Sequence, residues 1–250
     1  MVRRKLFIFR LATRPLRLAY QGDFLMADAQ FVTDRSTAVV SGHKVLRNTY
    51  MLLSMTLLFS AMMAAVAMAI NAPPMGLLSL LVMFALLYGV NKLKNSVWGI
   101  AMVFVFTGFM GFAVGPLVNF YLQTANGSQT VMTALGLTGL VFFSLSGYTL
   151  ISQKDFSYLA GFLTTGLVVI FGCMLLMMFG SMFGYYVSGL HLALSAAIVL
   201  LMSGFILYDT SRILHGGETN YLMATISLYL DIYNLFIGLL HLVGGGFGDD

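Results

Sequence analysis

The chain has 250 residues, of which 59% are hydrophobic and 9% charged, with a formal net charge of +4. Soluble domains carry about 25% charged residues, so this composition cannot coat a water-facing surface and reads as an all-α integral membrane protein. The single cysteine, Cys173, excludes an internal disulfide framework and a cysteine-based metal site. Six of the thirteen basic residues fall in the first seventeen positions, which is the charge of a membrane-proximal tail and not of a nucleic-acid surface.

Residues 1–44 read as a basic cytoplasmic tail. Its apolar run LFIF is too short for a signal-peptide core of about 7–15 residues. The first 25 residues read equally as a basic amphipathic surface helix or as sequence upstream of a start at Met26. Residues 45–250 form the membrane domain. A bilayer core of about 30 Å takes about 20 apolar residues per helix. Seven runs qualify, near 48–70, 75–91, 97–119, 130–151, 158–180, 189–213 and 221–243. Pro73 and Pro74 end the first. Lys92, Lys94 and Asn95 mark the second loop. The stretch 119–129, with Asn126-Gly127, marks the third. Gln153, Lys154 and Asp155 make the fourth, and Gly216-Gly217 the sixth.

The loops alternate in charge. Lys and Arg occupy the tail and the second, fourth and sixth loops, while the first, third and fifth carry none and the C-terminal GGGFGDD is acidic. The positive-inside rule then places the N-terminus in the cytoplasm and the C-terminus on the periplasmic side of an inner membrane. Trp98, Tyr121, Tyr185 and Tyr186 read as interfacial anchors.

Two carboxylates break the apolar pattern. Asp231 lies ten residues past Tyr221, about 15 Å along a helix and near the bilayer midplane. A carboxylate there costs about 2.5–3.5 kcal/mol on insertion scales, so it must face the bundle interior or water. Ser227, Asp231, Asn234, Gly238 and His241 follow one helical face and form a polar stripe, with Leu228, Ile232, Phe236 and Leu239 on a face suited to lipid or packing. Asp209 sits near the inner end of the sixth helix, three residues before Arg212. Two readings stay open. Asp209 pairs with Arg212 at the interface, or the antiparallel sixth and seventh helices bring Asp209 to Asp231. In the second reading the depths differ by several ångströms, a gap that tilt or a late helix start would close. Carboxylates sharing a low-dielectric site titrate as a unit and suit a proton or Ca²⁺. Arg47, Lys92, Lys94 and Arg212 are the basic residues on the same side.

Enzymatic readings fare worse. SLSG, residues 144–147, resembles the serine motif of rhomboid intramembrane proteases, and His191 offers an imidazole, but Ser146 and His191 fall at opposite ends of their helices. No HExxH occurs. No nucleophile, base and oxyanion donor share one depth, so the chain is read as a non-enzyme without a required cofactor.

HKVLRNTY, FTGFMGFAVGPLVNFYL and above all HGGETNYLMATISLYLDIYNLF resemble the Bax inhibitor-1 family in its bacterial YccA branch, from about His43 to Val243. The resemblance implies seven helices with the last one central and surrounded by the other six. It implies a functional aspartate pair at Asp209 and Asp231, linked in pH-sensing members to Ca²⁺ leak, with a basic partner near the end of the second helix. Here NKLKNS offers Lys92 or Lys94, or no partner at all, where an arginine is common, and lysine cannot form arginine's bidentate fork. The branch further implies association with the membrane AAA protease FtsH and its complex, which members restrain as a poorly degraded substrate through the N-terminal tail.

Overall fold

In hydrocarbon every backbone N–H and C=O must find its partner within the segment, so apolar runs of this length fold as helices. The computed structural model describes residues 44–182 and 189–246. Helix α1 is Lys44–Ala69. It is followed by α2 Leu77–Leu93, α3 Trp98–Leu122, α4 Gly127–Ser152, a 3-10 turn Ser157–Leu159, α5 Ala160–Met182, α6 Leu190–Leu214 and α7 Tyr221–Gly246. Six of these are long and apolar enough to cross a membrane, and α2 is a shorter apolar helix of 17 residues. Each run read from the sequence coincides with one helix. The basic tail through His43, Tyr185, Tyr186 and the last four residues lie outside the described residues.

Two boundaries differ from the sequence expectation. Helix α1 stops at Ala69, ahead of the Pro73-Pro74 pair. Asn71 adopts a left-handed conformation (φ 50°), and the Ala72 N–H reaches back to the Ala67 carbonyl at 2.9 Å. This is a Schellman-type stop, so the prolines stiffen the link that follows instead of ending the helix. The polar stretch 119–129 shrinks to residues 123–126, because Asn119 stays helical and donates its side-chain amide to Asn71 Oδ1 at 3.4 Å.

On α1, Met51, Met55, Leu58, Met62 and Val66 recur at helical spacing and are all exposed. An apolar stripe of that length has no place in water. The chain is a multi-pass membrane protein, and this stripe faces lipid. The opposite side of α1 meets α3 closely. Gly108, Gly111 and Gly115, from FTGFMGFAVG, face Phe59, Ser60 and Ala64 with Ala67. Helix α7 packs on α6, α4, α3 and α2 and touches α1 through Thr225 and Tyr229. Its Leu228, Ile232 and Leu239 are buried, so that face serves packing and not lipid. Helix α5 packs on α6 and the 3-10 turn.

Candidate functional site

Asp209 and Asp231 are both buried, 8% and 6% exposed. Their carboxyl groups face each other from α6 and α7 within hydrogen-bonding reach. Helix α7 starts at Tyr221 as the sequence suggests, so a late start is not what brings them level. Asp209 stands five residues before the end of α6 and Asp231 ten past the start of α7. With antiparallel axes, level carboxylates put Tyr221 about 7.5 Å beyond Leu214, a step that residues 215–220 cover. Asp231 Oδ2 has no hydrogen-bond partner among the described residues.

The competing partner of Asp209 is also present. Arg212 Nη1 lies 3.9 Å from Asp209 Oδ1, while its Nη2 donates to Glu218 Oε2 at 2.8 Å. The guanidinium is thus held mainly by Glu218 and only brushes the aspartate. The other basic residues do not reach the pair. Arg47 and Lys92 are exposed, and among the described residues the ion pairs are the two of Arg212. Lys94 contributes its backbone carbonyl, which accepts from Asn220 Nδ2 at 3.0 Å. Among the described residues neither Lys92 nor Lys94 forms an ion pair with the aspartates. Arg212 needs only one turn of its own helix to reach Asp209, whereas the α2 end is tied to the start of α7.

The polar stripe on α7 does not act as one unit. Asn234 donates to the Leu230 carbonyl of its own helix at 2.8 Å. A Cβ at Gly238 would meet Val199 Cγ2 at 3.0 Å, so that position serves close packing on α6. His241 stands edge-on to the Tyr121 ring, centroids 6.0 Å apart. Ser227 is half-buried.

Two hydroxyl clusters escaped the sequence reading. Tyr229 donates to the Thr107 carbonyl at 3.2 Å and therefore accepts from Ser60 Oγ at 2.7 Å, which ties α7 to α3 and α1. Ser146 bonds Tyr50 and lies 3.3 Å from Thr210 Oγ1, linking α4, α1 and α6. The only signal for these in the sequence was hydroxyls inside apolar runs. Thr210 and His191 are nineteen residues apart on α6, about 28 Å, so Ser146 and His191 form no dyad. Toward the other end, a cavity of about 310 Å³ opens between α1, α3, α4 and α7, lined by Ser60, Ala64, Val118, Leu135, Tyr233 and Phe236 among others.

The loops beside the pair are knitted together. Asn220 Oδ1 accepts the Leu222 and Met223 N–H groups at 3.0 and 3.2 Å, capping α7. Ser211 Oγ accepts from the Phe156 N–H at 2.9 Å and donates to the Lys154 carbonyl at 3.3 Å. The Ser157 hydroxyl and N–H hold the Asp155 carboxyl below the usual carboxylate range, with a smaller contribution from His215. Among the described residues no three His, Cys, Asp or Glu side chains cluster as metal ligands.

Comparison with known proteins places this geometry in context. A family model described as "Inhibitor of apoptosis-promoting Bax1" matches residues 42–248. The chain is 47% identical over 209 residues to the Escherichia coli K12 "Modulator of FtsH protease YccA", covering 83% of this chain and 93% of that protein. The corresponding protein of a second Escherichia coli strain bears the name "Inner membrane protein YccA", with the same identity and coverage. An uncharacterized protein of Pseudomonas aeruginosa is 49% identical over 212 residues, 84% of this chain and 92% of that one.

Proposed function

The chain belongs to the Bax inhibitor-1 family, and on that footing we propose that it modulates an FtsH-type membrane protease in a bacterial inner membrane. The observation that carries this is the 47% identity, across nearly the whole membrane domain, to a protein named for that role. In this reading seven spans put the N-terminus in the cytoplasm and the C-terminus outside, with α7 central among the other six. The basic tail of residues 1–44 offers the protease its grip, and the tightly packed bundle resists extraction. Deleting residues 1–40 spares the first helix, which begins at Lys44. The shortened protein should insert normally, while its turnover and its restraint of the protease change. Unchanged turnover and unchanged restraint would remove the tail from the mechanism.

A second reading rests on the facing carboxyls of Asp209 and Asp231. A hydrogen bond between two carboxyl groups needs one proton, and a cation can stand in its place. Ca²⁺ takes six to eight oxygens, so the pair would supply at most four and water the remainder. In this reading the protein is a pH-sensitive cation leak. Ca²⁺ flux into liposomes carrying the purified protein, from pH 6 to 8, should respond to pH in the wild type and not in Asp231→Asn. Equal flux from both would end this reading and leave the protease reading intact.

A further inference from the structure

His215 follows the last residue of α6 as its C-cap. Its ring is bonded at both nitrogens, and the Ser211 hydroxyl lies a further 3.4 Å from Nδ1. Nδ1 lies 2.8 Å from the Ser211 carbonyl oxygen, and Nε2 lies 3.2 Å from the Gln153 carbonyl oxygen. Carbonyl oxygens only accept, and a neutral imidazole donates from one nitrogen only. Both contacts are hydrogen bonds only when both nitrogens carry protons. In the neutral ring one contact sets lone pair against lone pair.

The two acceptors belong to two helix ends. Ser211 is in the last turn of α6, and Gln153 is the C-cap of α4, held in a left-handed conformation at φ 51°. The negative ends of two helix dipoles therefore meet at one imidazole, where a positive charge is favoured. The charged groups around it complete the picture. Asp155, on the loop that Gln153 opens, interacts electrostatically with His215 and stays ionised. Lys154 turns its Nζ to the Tyr148 hydroxyl at 3.4 Å. On α6 and the following loop, Arg212 is engaged by Glu218 at 2.8 Å. The nearby cations thus have their own partners, and the remaining counter-charge is Asp155.

We propose that His215 is a proton-binding site separate from the aspartate pair, and that its doubly protonated ring clips the 153–157 loop to the end of α6. The clip sits one turn beyond Ser211, whose hydroxyl holds the Phe156 N–H and the Lys154 carbonyl of the same loop. Loss of the proton gives up one of the two bonds, and the bond to Gln153 is the longer one. On the α6 side the loop then keeps the two bonds of Ser211. The fastened state belongs to the doubly protonated ring and the loosened state to the neutral one.

The test uses the full-length protein in nanodiscs. Hydrogen exchange of the segment 153–159, corrected for the intrinsic pH dependence of exchange, should speed up several-fold in the wild type between pH 5.5 and 8. In His215→Gln, whose amide donates without titrating, the corrected rate should not vary with pH. Nitrogen-15 spectra of labelled histidine, with the His215 signal identified by its loss in that variant, should show both ring nitrogens protonated at pH 5.5. A ring with one protonated nitrogen at pH 5.5 overturns the proposal. So does a wild-type exchange rate that ignores pH, or an equal pH response in His215→Gln.

Discussion

Gly111→Ala tests the packing that brings the hydroxyl seam together. A Cβ at this position would overlap the carbonyl oxygen of Ser60 on α1 and stand 2.7 Å from both its carbonyl carbon and its Oγ, against ordinary contacts of 3.4 Å or more. Two of the clashing atoms are backbone, so no rotamer change relieves them, and α1 must retreat by at least about 0.7 Å. Overpacking of this kind costs about 1–3 kcal/mol. The retreat also pulls Ser60 away from Tyr229, a bond now at 2.7 Å and worth about 1 kcal/mol. Gly136→Ala is the matched control. It lies within α4 with nothing inside 4 Å of its added methyl, and exchanging an exposed helical Gly for Ala favours the helix by about 1 kcal/mol. Thermal unfolding in mild detergent reads both variants. Gly111→Ala gains the same helix preference, which leaves a net loss of about 1–3 kcal/mol; at about 2–4 °C per kcal/mol for a chain of this size it should lose about 2–12 °C while Gly136→Ala loses nothing. Equal midpoints for the two variants would refute the close approach of α1 and α3.

Tyr229→Phe should destabilise the protein by about 1–2 kcal/mol, and a double-mutant cycle with Ser60→Ala should show coupling of about 0.6 kcal/mol; strictly additive effects would deny the bond. A reporter active only outside the cytoplasmic membrane should be active when fused at Asp250 and silent when fused in the loop at Lys154; the reverse pattern inverts the bundle. Asp209→Asn and Asp231→Asn should flatten any pH response of cation leak alike, since the titration belongs to the pair. A response lost in Asp231→Asn and intact in Asp209→Asn would leave Asp209 as a partner of Arg212 alone.

The helices were legible because hydrocarbon leaves the backbone one solution per apolar run. Their ends were less so. Asn71, which drew no attention beside Pro73 and Pro74, stops α1 by taking a left-handed conformation, and Asn119 stays helical with Asn71 as its side-chain partner. The two aspartates stood out as costly residues, and their one-dimensional depths left a gap that only the relative placement of α6 and α7 removes. Of the four basic residues on that side, Arg212 is the one that approaches Asp209, and closeness of Lys92 and Lys94 to the membrane end says nothing of direction. Tyr229 went unnoticed because a tyrosine in SLYLDIY reads as one more apolar residue until Ser60 and Thr107 are seen beside its hydroxyl.

Polarity in the described bundle falls from one end to the other. At the loop end lie Arg212, Glu218, Lys154, Asp155 and His215, all exposed or half-buried. One turn inward come the aspartate pair and the Tyr50–Ser146–Thr210 hydroxyls. Tyr229, two residues before Asp231 on α7, joins Ser60 and Thr107 in a neutral seam, and Ser60 and Tyr229 also line a mostly apolar cavity. A cation leaving the pair toward that cavity would lose charged oxygens and gain methyl groups, at a cost of several kcal/mol. The easier approach to Asp209 and Asp231 is from the loop end, past Arg212. Both carboxylates nonetheless stay buried, 8% and 6% exposed, with the half-buried Arg212 as the charge beside Asp209 on the loop side.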